Sequence, residues 1–238
     1  VNSFGVQDDF LYDYAIPVLN QRAATGQPFF ATLLSISNHP PYVIPPFFHP
    51  KTSEPETQIV EYADWALRQF FEEARKHPWF DNTIFVLEGD HGKLVGDAEC
   101  ELPESYNHIP LMIYSSRIQP EEKTTFGGQV DIQPTILGLL NIDYLQNNFG
   151  VDLLKEERPC MFYTADNMVV GRNDTLLYLY NYETQQELTY DIGNGKLNAV
   201  PMDDSFLPLK EYSFSMRQSA EFLVKHGKTV NSVPFTQQ

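Results

Sequence analysis

Asp90 and His91 stand side by side between Gly89 and Gly92, just after the apolar run TIFVLE at 83–88. A carboxylate oxygen and an imidazole nitrogen together suit zinc, manganese and similar divalent ions. Neighbours within a strand point to opposite faces. The two side chains can therefore meet at one ion only where the strand has ended and the backbone turns. Gly92 is read as the residue that permits the turn, since glycine adopts conformations other residues avoid. The plainer reading makes Asp90 a turn cap and His91 a surface histidine. Two more histidines flank apolar runs: His39 follows FFATLLSIS at 29–37, and His108 precedes IPLMIY at 109–114. Ligands in open α/β sheets bind beyond the carboxyl ends of strands, which favours His39 and the Asp90–His91 pair. His108 does not obey that rule; it ends the 92–107 loop, which can fold back over a site. The plain alternatives are a histidine in a proline-rich loop for His39 and a strand-entry residue for His108. Two ligands fall short of the three or four of a stable metal site, so the chain holds half an active site. It has no Walker A loop, no GxGxxG, no GxSxG and no CxxC pair, and no serine or threonine stands out as an activated nucleophile.

The elements that must position these residues follow from periodicity. Apolar residues at three- and four-residue steps predict helices over 6–22, 56–76, 130–140 and 209–226. Asp8 and Asp9 fall in the first turn of the first helix, where the helix dipole favours acids. The continuous apolar runs at 29–37, 83–88 and 109–114 read as strands buried on both faces, as in a helix-covered parallel sheet. The expectation is an α/β fold, a mostly parallel sheet with helices on both faces. After about residue 158 the texture becomes short and β-rich, at 161–163, 168–170, 175–182 and 187–191. Those segments predict a small antiparallel meander closed by the terminal helix. The domain division expected is 1–157 for the α/β part and 158–238 for the β-rich subdomain.

The formal charge of −16 argues against a nucleic-acid partner, because phosphate backbones need Lys and Arg to neutralise them. An anionic substrate would need local positive charge or a bound metal to overcome the global field. No run approaches the ~20 apolar residues of a membrane span. Cys100 and Cys160 read as free thiols rather than as a pair.

Several stretches, in this order and spacing, resemble the alkaline phosphatase superfamily, and within it the sulfatase-like group of lipoteichoic acid synthases and phosphoglycerol transferases. They are DDFLYDYA at 8–15, FATLLSISNHPPY at 30–42, YAD at 62–64, DNTIFVLEGDHG at 81–92, HIPLMIY at 108–114, GQVDIQPTIL at 128–137 and NFGVDLL at 148–154. The resemblance covers roughly residues 6–155. It implies an enzyme that moves a phosphoglycerol, phosphoethanolamine or sulfate group by attack of a threonine, or of formylglycine in true sulfatases. A divalent ion (Mn, Mg, Zn or Ca) would be held in part by Asp90 and His91. His39 would contact the phosphoryl oxygens or the departing alcohol, and His108 matches a second histidine of the family's site. The implied substrate is an anionic phosphodiester or sulfate ester, lipid-linked in the lipoteichoic acid branch. The family's first strand, its metal-binding acid and its nucleophile have no counterpart in these residues. The chain is therefore expected to be the C-terminal portion of a larger enzyme and to lack turnover alone. Any membrane anchor would lie upstream, and the enzyme would act on the extracytoplasmic face of the membrane or in the periplasm. Two alternatives stand: a sulfatase, and a catalytically inactive member serving as a binding module.

Overall fold

The computed structural model describes residues 5–94 and 97–229. The chain forms two units. The first gathers Val1–Glu88 with Pro110–Pro120, and the second gathers Gly89–Ile109 with Glu121–Gln238.

In the first unit, helix α1 spans Asp8–Ala23 and helix α2 spans Pro55–Ala74. Pro55 opens α2 at a position where its missing N–H costs nothing. Ile59, Tyr62, Ala66, Phe70 and Ala74 recur at helical spacing and are buried. Phe70 and Ala74 form one apolar cluster with Ala15, Ile16 and Leu19 of α1 and with Phe80. Tyr62 carries its hydroxyl inward and donates to Asp9 Oδ1 at 2.6 Å. Full burial of a side chain the size of Ile59 or Phe70 is worth about 1.5–3 kcal/mol, so this stripe dominates the stability of the helix pair.

Strand β1, Phe85–Glu88, packs Phe85 against Phe71 at 4.9 Å between ring centroids. It pairs with strand β2, Leu111–Tyr114, in the register Phe85↔Tyr114 to Glu88↔Leu111. The pair is antiparallel, which corrects the parallel arrangement expected from sequence. Parallel neighbours need a crossover connection, usually a helix. The intervening segment has, among its described residues, one 3-10 turn, Glu104–Tyr106, and no α-helix that would make such a crossover. The run at 29–37 carries no strand and is not buried on both faces: Phe30 is 88% and Leu34 73% exposed. An apolar run becomes a buried strand only where another strand takes up its backbone groups, and none pairs with it among the described residues. Its end is held by Asp8. Asp8, 2% exposed, accepts from Ile36 N–H at 3.1 Å, Ser37 N–H at 3.0 Å and the Ser37 hydroxyl at 2.8 Å. The helix-dipole role expected for Asp8 is thus joined by a tertiary one.

The second unit is built on a five-stranded antiparallel meander in sequence order. Its strands are β3 (Met161–Ala165), β4 (Met168–Arg172), β5 (Leu176–Asn181), β6 (Glu187–Asp191) and β7 (Asn198–Ala199). Asp166 and Asn167 join β3 to β4 with φ of 47° and 63°, the left-handed pair that a two-residue hairpin requires. Leu177 and Leu179 face one core with Met168, Val170 and Tyr190, while Tyr178 faces another with Phe206 and Leu209. Helix α4, Leu207–Lys225, closes the second core, as expected from its periodicity. Gly171 lets it approach, because a Cβ there would lie 2.5 Å from Ser213 Oγ. Helix α3, Ile132–Leu139, follows a 3-10 turn at Gln129–Asp131. Cys100 and Cys160 are free thiols. Among the described residues no helix is long and apolar enough to cross a membrane.

Candidate functional site

Strand β1 ends at Glu88, and the chain leaves the strand with a bend at Asp90. Both side chains of the Asp90–His91 pair project into solvent, with exposures of 75% and 71%. The His91 N–H donates to Asp90 Oδ1 at 2.9 Å. His91 Nδ1 lies 2.8 Å from the Gly92 carbonyl. A carbonyl only accepts, so the contact makes Nδ1 the donor and leaves Nε2 as the ring nitrogen placed to act as a ligand. That nitrogen stands 3.6 Å from Asp90 Oδ2. Two ligands about 2.1 Å from a tetrahedral ion lie about 3.4 Å apart. The donor types, the tautomer and the spacing therefore fit two adjacent ligands of one divalent ion. They do not complete a site, because among the described residues no group of three or more His, Cys, Asp and Glu could hold a metal.

The requirement for glycine at 92 differs from the sequence expectation. Gly92 is not among the residues with positive φ. A Cβ there would fall 1.9 Å from the Ser105 carbonyl oxygen. Close approach of two backbones excludes a side chain at 92, not a left-handed conformation. The same approach brings the His108 loop to the pair: Gly92 N–H donates to the Tyr106 carbonyl at 2.9 Å, and His108 N–H to Glu104 at 2.8 Å. His108 is exposed, two residues beyond Tyr106. Residues 95 and 96 of this loop lie outside the described residues. Its far end is anchored on the meander. Leu102 is 1% exposed within the core that includes Val170 and Leu179, and Tyr190 donates its hydroxyl to Glu101 at 2.5 Å. Arg172 pairs with Glu104, Nε to Oε1, at 2.5 Å.

His39 belongs to the first unit. It is exposed, two residues beyond the Asp8–Ser37 anchor, with Nδ1 2.7 Å from the Pro40 carbonyl. Thus the second unit brings together Asp90, His91 and the loop of His108, and the first unit carries His39. Sequence reasoning passed over two residues of the second unit. Gln129 donates its side-chain amide to the carbonyls of Gly89, at 3.2 Å, and Asp90, at 3.0 Å. Arg158, 9% exposed, binds Asp131, which is fully buried. Gln129 and Asp131 both sit inside the GQVDIQPT stretch; Arg158 follows it by about twenty residues, with no local pattern to mark it.

The family model described as Sulfatase matches residues 2–142, more than half of the chain. The chain belongs to the sulfatase family. Among its sulfatase-family relatives, lipoteichoic acid synthase 1 of Bacillus subtilis (strain 168) is 27% identical over 217 residues, 82% of this chain and 32% of its own length. Lipoteichoic acid synthase of Staphylococcus saprophyticus is 28% identical over 182 residues, 66% of this chain and 27% of its own. A solved protein of the alkaline phosphatase superfamily from Vibrio parahaemolyticus superposes with a TM-score of 0.80 and 26% identity, over 93% of this chain and 56% of that one. The lipoteichoic acid synthase LtaP from Listeria monocytogenes shares the fold, with a TM-score of 0.75 at 22% identity, over 100% of this chain and 62% of that one. The chain thus spans about a third of the length of the curated relatives it matches.

Proposed function

We propose that these residues are part of a metal-dependent enzyme that transfers a phosphoglycerol or related phospho group from an anionic, lipid-linked phosphodiester. The observation that carries the reading is the Asp90–His91 turn, where Asp90 Oδ2 and His91 Nε2 stand 3.6 Å apart. Kinship to lipoteichoic acid synthases supplies the substrate class. Asp90 and His91 would hold a divalent ion: Mn, Mg, Zn or Ca. Such an ion, when bound, neutralises charge on the phosphoryl group and lowers the pKa of the attacking hydroxyl. That accounts for an anionic substrate on a chain of charge −16. We assign His39 to the phosphoryl oxygens or the departing alcohol, and His108 to a second contact at the same group. The attacking hydroxyl is assigned to a threonine that these residues do not include. We place the enzyme on the extracytoplasmic face of the membrane.

The match to the Sulfatase family model keeps sulfate-ester hydrolysis as a second reading. A Cys-x-Pro-x-Arg or Ser-x-Pro-x-Arg segment in the upstream gene sequence would favour it, and a lone threonine would favour phospho transfer.

One titration tests the proposal. Manganese binding to the chain is measured calorimetrically beside Asp90→Ala, with a phosphodiester added to each. The expected result is an affinity at least tenfold weaker in the variant, since loss of even a supporting group costs about 10–100-fold. No metal-dependent product is expected from either protein. Equal manganese affinity would refute the ligand assignment. Turnover abolished by Asp90→Ala would refute placing the nucleophile elsewhere.

A further inference from the structure

Two successive carbonyls, those of Gly89 and Asp90, accept from the one side-chain nitrogen of Gln129. Carbonyls are acceptors only, so the amide nitrogen, not its oxygen, must face them. Successive carbonyls in a strand point in alternate directions, as the side chains do. One donor can reach both only where the peptide between them has rotated out of the strand pattern. That rotation is also what allows Asp90 and His91 to aim at a single point, because in a continuing strand they would face opposite ways.

Gln129 is exposed, but its backbone is held. It opens the 3-10 turn Gln129–Asp131. Asp131 closes that turn, accepting from Gly128 N–H at 2.8 Å, while its own N–H donates to the Gly128 carbonyl at 2.9 Å. The buried guanidinium of Arg158 and the Val151 N–H hold the same carboxylate. The carbonyls of Gly89 and Asp90 are thus tied, through Gln129 about forty positions away in sequence, to a turn held by buried Asp131. The Gly92–Tyr106 bond holds the other end of the turn.

We propose that Gln129 is a positioning residue for the Asp90–His91 pair, a two-point amide clamp that keeps Oδ2 and Nε2 converged. The proposal rests on the reading of that pair as metal ligands, and its test separates the two.

Gln129→Glu keeps the shape and replaces the donor with oxygens that repel the carbonyls. Gln129→Met keeps the length without any donor. In the metal-free chain, amide exchange at His91 and Gly92 and the ¹⁵N shifts of the His91 ring are compared with the parent protein. Both variants should exchange at least tenfold faster at these amides and lose the Nδ1–H tautomer preference, with melting temperature within about 2 °C, as for a surface change. Manganese affinity should fall about 10–100-fold, the usual cost of a lost supporting contact. Unchanged exchange and an unchanged tautomer in both variants would overturn the proposal. Altered exchange with no manganese binding by any of the proteins would uphold the clamp and sink the metal reading.

Discussion

Two of the second unit's pairs of carboxylate and nitrogen base are built in opposite ways. Asp131 and Arg158 expose 0% and 7% of their side chains, whereas Asp90 and His91 expose 75% and 71%. Both oxygens of Asp131 are engaged, by Arg158, by the Gly128 and Val151 amides and through the turn they close. Arg158 also donates to the Phe149 carbonyl and the Tyr212 hydroxyl. That pair ties α3, the 149–158 segment and α4 together and has no lone pair left to offer. At Asp90–His91 the backbone engages Oδ1 and Nδ1, and Oδ2 and Nε2 stand 3.6 Å apart on mostly exposed side chains. Burial with saturated bonding makes a hub. Exposure with two ligand-type atoms side by side and open to solvent makes a candidate binding site.

The contrast can be broken most severely at the hub. Arg158→Ala leaves a buried carboxylate without its partner, which costs about 3–5 kcal/mol. Denaturant unfolding should show that loss, while Asp90→Ala stays within about 0.5 kcal/mol of the parent, as exposed substitutions do. Equal losses would erase the distinction. A smaller effect is expected at Gly92. A Cβ placed 1.9 Å from the Ser105 carbonyl must push the 104–107 turn away. Gly92→Ala should cost about 1–3 kcal/mol, the usual range for overpacking, and weaken manganese binding. Retention of both would mean that the turn tolerates a wider gap.

The smallest effect sharpens the contrast where the loop behind the exposed pair meets the meander. Burial, with the Glu104 carboxylate nearby, pushes the Tyr163 phenol up to about 12. The unfolded chain ionises it near 10. Between those values the unfolded state has lost a proton that the folded state keeps, so stability falls as pH rises. The contribution is complete below about pH 10 and gone above about 12. Thermal melts across that window should decline less steeply in Tyr163→Phe. An identical decline would place the alkaline loss elsewhere.

Periodicity in the chain was enough to locate α1, α2, α3, α4 and strands β3 to β6, because each buries one face of a local pattern against a neighbour. The Asp90–His91 pair was legible for a similar reason: both ligand types stand together, flanked by glycines, where an apolar run stops. The pairing of β1 with β2 was not legible. An apolar strand has the same sequence whichever way its neighbour runs, and the connection between them decided the direction. The run at 29–37 shows the limit from the other side, since hydrophobicity states a preference for burial and only a partner provides it.

The residue types, their order and the family they mark were thus settled by the sequence alone. Tertiary structure decided which atoms of those residues face outward. It selected the His91 tautomer through the Gly92 carbonyl, required glycine at 92 by contact with Ser105, and brought Gln129 across forty positions to the Asp90 turn. The first is a bond between neighbours that the turn's backbone sets, and the other two are contacts between distant segments. Such contacts depend on geometry summed over the whole fold, which no local pattern of side chains records.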